Sequence, residues 1–392
     1  MLASIAELKE AAEGRPAELI RERSPERKVI GYFCNYVPEE IIHAAGHIPL
    51  RLVKGGEREA EAAGGDYLNL NSCSFAKSCV GLRGEAHDPL YGEVDYLAEA
   101  PACVQMEWAL EIWEKYFGVK TLPIGLPRNF RSPDGLEYFI REVRDFAKGV
   151  EAIAGRQIQP EALLSSIRLY NEIRRSLREL YELQREDEGP LRWSELFTLV
   201  QAGFVLDRAR YLEGLKQVCR EIGEVRRSPG NPKEEPRLLL LGSILAAGDD
   251  KVIQMADALQ ARIVMDDLCT GSRWFWEPVE EPTLEGLARR YLEKSPCGTL
   301  PVLQSAENPR RKRLEELMEE YRIDGVLYYT LRFCDAYAFK AEMEKRWLEE
   351  KGIPVLHLDS DYSSSNQGQI RTRLEAFLEM LRTRKERLKI EN

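Results

Sequence analysis

The chain has 392 residues, 44% of them hydrophobic and 31% charged, which is enough apolar material for more than one core and excludes a disordered or collagen-like chain. With 56 Lys and Arg against 66 Asp and Glu, the net charge of −10 disfavours a nucleic-acid backbone or an anionic membrane as partner. The longest apolar runs, such as Leu238 to Leu241, fall far short of the roughly 20 residues that cross a bilayer.

The opening MLASIAELKEAAEG predicts a polar helix rather than a secretion signal, and with it a cytoplasmic protein. Four β-rich runs follow: KVIGYFC (28–34), PLRLV (49–53), VDYLAEA (94–100) and TLPIGLP (121–127). Residues 135–230 carry helical periodicity without strands, as in ALLSSIRLYNEIRRSLRELYELQ, and the Pro-rich RRSPGNPKEEPR (226–237) reads as a linker. Four more strands are predicted at RLLLLGSI (237–244), ARIVMDD (261–267), GVLYYTLRF (325–333) and IPVLHLD (353–359). Strands alternating with helices imply an α/β protein with two similar parallel-sheet, Rossmann-like domains. The expected division is 1–134 with an N-terminal helix, a helical insert over 135–230, and a second α/β domain over 231–392. Cys103 lies as far before Pro123 as Cys334 lies before Pro354, and the surrounding strand–helix–turn patterns match. The halves therefore read as a diverged duplication.

Eight cysteines in a chain of this kind should stay reduced, where they pack, react or bind metal. Cys34, Cys103, Cys269 and Cys334 each fall at or just past the carboxyl end of a predicted strand. Open α/β sheets bind ligands there, beside helix N-termini whose partial charge favours thiolates. Cys73 and Cys79 lie in the Ser-rich NSCSFAKSCVG leading into a helix, Cys297 lies in the loop SPCGTLP, and Cys219 sits within a helical pattern. A buried cysteine is ordinarily a small hydrophobe, a reading weakened by four sharing one topological position. No C-x-x-C pair occurs, so zinc ribbons, the thioredoxin motif and the bacterial ferredoxin run lack support. Soft thiolates gathered from distant loops suit an iron–sulfur cluster held between two domains.

Other motifs are weak. His43 and His47 in HAAGH have the spacing of a metal pair but lack the glutamate of H-E-x-x-H, and packing roles are expected. Neither a P-loop nor a G-x-G-x-x-G occurs, so any ATP would be bound by another protein. The run PRRKR (309–313) reads as a solvated loop. Glu39, Glu40, Arg273, Asp335 and Gln367 are polar candidates near strand ends, with helix capping an open alternative for each.

The stretch GYFCNYVPEEIIHAAGHIPLRL (31–52), with CSFAKS (73–78), PAC (101–103), FCDAYAF (333–339) and DSDYSSSNQGQIRTRLEAFLEML (359–381), resembles the 2-hydroxyacyl-CoA dehydratase and benzoyl-CoA reductase superfamily. The resemblance spans almost the whole chain. It implies two α/β domains per subunit and a [4Fe–4S] cluster held by three cysteines, here Cys73, Cys103 and Cys334. The additional Cys34, Cys79, Cys269 and Cys297 depart from that pattern. They make the chain similar to the double-cubane cluster proteins of the superfamily, whose [8Fe–9S] cluster has six cysteine ligands. The resemblance then implies a homodimer that takes electrons from a dimeric iron–sulfur ATPase and reduces small molecules at low potential. On this reading the six ligands come from Cys34, Cys73, Cys79, Cys103, Cys269, Cys297 and Cys334, with Cys79 and Cys297 competing for the last place. The alternatives are a single-cubane dehydratase or reductase subunit, and a protein that assembles a cluster for another enzyme.

Overall fold

The computed structural model describes residues 1–85, 87–187, 189–224, 235–294, 296–300 and 308–391. Each of the eight predicted strands is present. The first half forms a parallel sheet in the order β2-β1-β3-β4, from β1 (Val29–Tyr32), β2 (Ile48–Arg51), β3 (Tyr96–Glu99) and β4 (Lys120–Pro123). The second half repeats the pattern as β6-β5-β7-β8, with β5 (Arg237–Gly242), β6 (Arg262–Asp266), β7 (Gly325–Leu331) and β8 (Val355–Ser360). Parallel strands covered on both faces need near-continuous apolar sequence. RLLLLG of β5 and GVLYYTL of β7 meet that requirement, and every residue in them is buried. The edge strand β4, KTLP, is partly exposed.

Between the sheets the chain runs through the helices Pro133–Ala154, Pro160–Glu182, Trp193–Val205 and Arg208–Glu224. Local signals set their ends. Ser132 Oγ caps the first by accepting from the Gly135 N–H at 2.9 Å, and Gly155 ends it in the left-handed region at φ 65°. The linker predicted at 226–237 falls mostly outside the described residues. The N-terminal helix, Ala3–Glu13, is less polar than its sequence suggested, because Ile5 and Leu8 form a buried stripe.

The halves meet at the carboxyl ends of their sheets. An isolated parallel bridge pairs Lys54 with Ala247, and Ala247 N–H donates to the Val53 carbonyl at 2.8 Å. The approach depends on Gly56 (φ 83°) and Gly248 (φ 100°). A Cβ on either would lie 2.2 or 2.4 Å from the backbone of the opposing loop.

PRRKR is not a solvated loop. It opens the helix Pro309–Glu320, capped by Asn308, whose Oδ1 accepts from the Arg310 and Arg311 N–H groups at 3.1 and 3.3 Å. Arg310 is buried and donates to Asp267 Oδ2 at 3.0 Å, while the Arg313 guanidinium lies over Trp276 at 4.7 Å. A dense run of like charge concealed this, because burial of one arginine depends on a carboxylate distant in sequence.

Candidate functional site

Strand ends and helix starts place most of the candidate cysteines. Cys34 lies just beyond β1, and Cys269 just beyond β6. Cys103 and Cys334 are the N-cap residues of the helices Val104–Phe117 and Asp335–Glu350, which follow the corresponding strands β3 and β7. Cys73 is the N-cap of the helix Ser74–Gly81. Cys297 follows the helix Leu284–Glu293 and ends on no strand. Cys34, Cys73, Cys103, Cys269, Cys297 and Cys334 all line one cavity where the halves meet, with apolar wall contributed by Phe33, Phe75, Ala102, Met106 and Ile244. Cys79 does not line it. That thiol is fully buried in the core behind Cys73, and the Cys79 carbonyl accepts from Trp113 Nε1 at 3.0 Å. Cys219 lies in the helix Arg208–Glu224, remote from the cavity lining.

Buried polar side chains bind the cysteine loops into two groups. Gln105 joins the first: its Oε1 accepts from the Cys73 N–H at 2.7 Å and its Nε2 donates to the Phe333 carbonyl at 3.0 Å, so the loops of Cys73, Cys103 and Cys334 share one amide. Phe333, just before Cys334, sits at φ 64°, a conformation that a bulky residue adopts only when its surroundings impose it. Arg51 joins the second, donating from Nε to the Phe33 carbonyl at 3.3 Å and from Nη1 to the Cys269 carbonyl at 2.8 Å. Tyr36 then ties in Cys297, whose N–H donates to the phenol oxygen at 3.0 Å. The two groups are close enough for their thiols to act on one another: Cys334 is influenced by Cys73, Cys103 and Cys297, Cys103 by Cys297, and Cys34 by Cys297 and Cys269.

Burial pushes the Cys73 thiol up to about 12 against the pull of the Ala76 and Phe75 N–H groups, and drives Cys34 and Cys334 well above their ordinary range. Cys297 goes the other way. Burial raises it, but the Arg273 guanidinium and the Thr299 hydroxyl, at 3.2 Å from Sγ, bring it down to about 7. Glu99 is raised to about 7 by burial, although its Oε2 accepts from the Phe33 and Cys34 N–H groups, both at 3.0 Å. Thiols that burial makes costly to ionise favour a cationic group that compensates their charge.

Of the polar candidates, only Arg273 lines the cavity. Glu39 and Glu40 instead form buried ion pairs with the helices of the insert. Glu39 Oε2 accepts from Arg208 at 2.6 Å and Oε1 from Trp274 Nε1 at 2.7 Å. Glu40 pairs with Arg174 and accepts from the Tyr291 hydroxyl at 2.8 Å. Asp335 and Gln367 open helices. His43 contacts Ser166 Oγ at 3.0 Å, and His47 Nδ1 accepts from the Lys28 N–H at 3.2 Å, packing roles as expected. Sequence reasoning missed Asn35, Lys294, Tyr337 and Gln105. Each lies within a few residues of a cavity cysteine, the one signal that pointed to them.

Residues 34–381 match the family described as 2-hydroxyglutaryl-CoA dehydratase, D-component. The chain belongs to that family. It is 25% identical over 365 residues to one of the subunits of the benzoyl-CoA reductase of Thauera aromatica, covering 92% of this chain and 93% of the relative. The (R)-phenyllactyl-CoA dehydratase beta subunit of Clostridium sporogenes is 25% identical over 360 residues, with 91% and 92% covered. YjiM of Escherichia coli, to which a dehydratase-subunit role is ascribed, is 27% identical over 357 residues, with 90% and 91% covered. These family members are matched almost end to end, so the two-sheet organisation lies within the family match. Among the described residues no helix is long and apolar enough to cross a membrane.

Proposed function

We propose that this chain is the iron–sulfur subunit of an ATP-dependent two-component reductase. It holds a double-cubane [8Fe–9S] cluster through Cys34, Cys73, Cys103, Cys269, Cys297 and Cys334 and acts as a homodimer on small molecules. The observation that carries this reading is the convergence of six thiols, from both halves of the chain, on one largely apolar cavity. The donor set fits. Six thiols that line one cavity from both halves of the chain suit a polynuclear group held by soft ligands. The two sets joined by Gln105 and by Arg51 supply three thiolates each. Such a cluster would supply low-potential electrons beside the substrate. The apolar wall excludes water, and thiolate-only ligation disfavours added negative charge, which keeps the potential low.

Electrons at that potential need an energised donor, and the sequence carries neither a P-loop nor a G-x-G-x-x-G. A separate iron–sulfur ATPase supplies them in this scheme. Val104 and Trp108 on the helix that Cys103 caps, and Phe339 and Met343 on the helix that Cys334 caps, are exposed, as is Phe333 just before Cys334, and they suit the docking of such a protein.

A second reading is a subunit with one [4Fe–4S] cluster on Cys73, Cys103 and Cys334, belonging to an acyl-CoA dehydratase or a benzoyl-CoA-type reductase. The names of the relatives favour it. Iron and acid-labile sulfide in anaerobically purified protein discriminate: about eight irons per chain supports the double cubane, about four supports the single cubane, and zinc without sulfide removes both.

A further inference from the structure

Among the described residues, the loop that carries Cys297 is held by side chains from several elements. Arg273 Nη1 donates to the Pro296 carbonyl at 3.4 Å, and Lys340 Nζ donates to the carbonyls of Gly298 and, at 2.9 Å, Leu300. Tyr337 is the centre of this arrangement. It lies in the first turn of the helix capped by Cys334 and reaches across the cavity to the Cys297 loop. Its phenol oxygen accepts from Arg273 Nη2 at 3.0 Å and from the Gly298 N–H at 3.2 Å. A phenol oxygen has two lone pairs, and both are then occupied. Its own hydrogen therefore needs an acceptor, and Cys297 Sγ lies 3.6 Å away. The closeness of loop and ring depends on Gly298, where a Cβ would lie 2.7 Å from the Tyr337 ring.

We infer that Tyr337 is a positioning residue that donates a fixed hydrogen bond to the Cys297 sulfur and thereby tunes the potential of the cluster this thiolate holds. The inference rests on the iron–sulfur reading above. A hydrogen bond to a ligating sulfur withdraws electron density from the metal and eases reduction, so it raises the potential. Arg273 and Gly298 fix the direction of the O–H by filling the oxygen's acceptor capacity. Thr299 Oγ1, at 3.2 Å from the same sulfur, makes a second such bond.

The test uses the anaerobically purified holoprotein and its Tyr337→Phe and Thr299→Val variants. Iron and sulfide are measured first, followed by an EPR-monitored redox titration. Electron–nuclear double resonance is then recorded in H2O and D2O. The expected result is full iron content in both variants, a midpoint potential shifted to more negative values in each, and loss from Tyr337→Phe of one exchangeable proton coupled to the reduced cluster. Full iron with an unchanged potential in Tyr337→Phe would overturn the inference while leaving the cluster reading intact. Iron loss from Tyr337→Phe would reduce the residue to a structural brace and overturn it equally. Absence of iron from the wild-type protein would refute the cluster reading itself.

Discussion

Alanine at Cys79 and at Cys297 separates a thiol that packs from one that reaches the cavity. Cys79 is fully buried in the helix Ser74–Gly81, so Cys79→Ala removes one heavy atom from a packed core. By analogy with Ile→Val, the cost is about 1 kcal/mol. The bond from Trp113 goes to the backbone carbonyl and survives the substitution. Iron should stay at the wild-type value of about eight per chain. Cys297→Ala leaves Cys34 and Cys269 as the remaining thiols of their group, and iron should fall toward about four per chain, the share held by Cys73, Cys103 and Cys334. The assay is iron and sulfide per chain under anaerobic conditions, with the urea midpoint as the measure of stability. Equal iron loss from both variants, or full iron in Cys297→Ala, would refute the assignment of ligands by cavity lining.

Gln105→Leu should lower cluster occupancy, because it releases the Cys73 N–H and the Phe333 carbonyl together; unchanged iron and activity would show that the shared amide is dispensable. Arg174→Met should destabilise the protein by roughly 3–5 kcal/mol by stranding the buried Glu40, while adding Glu40→Gln should recover most of that loss in urea unfolding. ATP should drive substrate reduction only when an iron–sulfur ATPase is added; ATP hydrolysis by the purified chain alone would contradict the division of labour. Burial holds His43, His47 and His357 below the ordinary histidine value of 6.5. The unfolded chain then binds more protons, so their contribution to stability is present above about pH 6.5 and is lost as pH falls through the depressed values. The urea midpoint should decline on that acid side, and His43→Gln should flatten the decline.

The strands were legible because their signals are local. A run such as RLLLLG or GVLYYTL suits only a strand covered on both faces, and the caps and glycines that end the helices act within a few residues. The repeat was legible in the recurring strand–helix–strand pattern, and both sheets share one strand order; the matched spacing from Cys103 to Pro123 and from Cys334 to Pro354 does not mark equal units, since Pro123 closes β4 and Pro354 precedes β8. Placement of Cys34, Cys103, Cys269 and Cys334 at carboxyl strand ends also followed from chain order alone. Which of Cys79 and Cys297 lines the cavity did not. Cys79 shares a short helix with the residues that follow Cys73 and is buried in the core, its carbonyl accepting from Trp113 Nε1, whereas Cys297 lines the cavity on a loop that Tyr36, Arg273, Tyr337 and Lys340 hold. The fates of Glu39, Glu40 and Arg310 were hidden for a related reason. Their partners Arg208, Arg174 and Asp267 lie far away in sequence, and a charge can be buried only where the fold brings its counter-charge beside it.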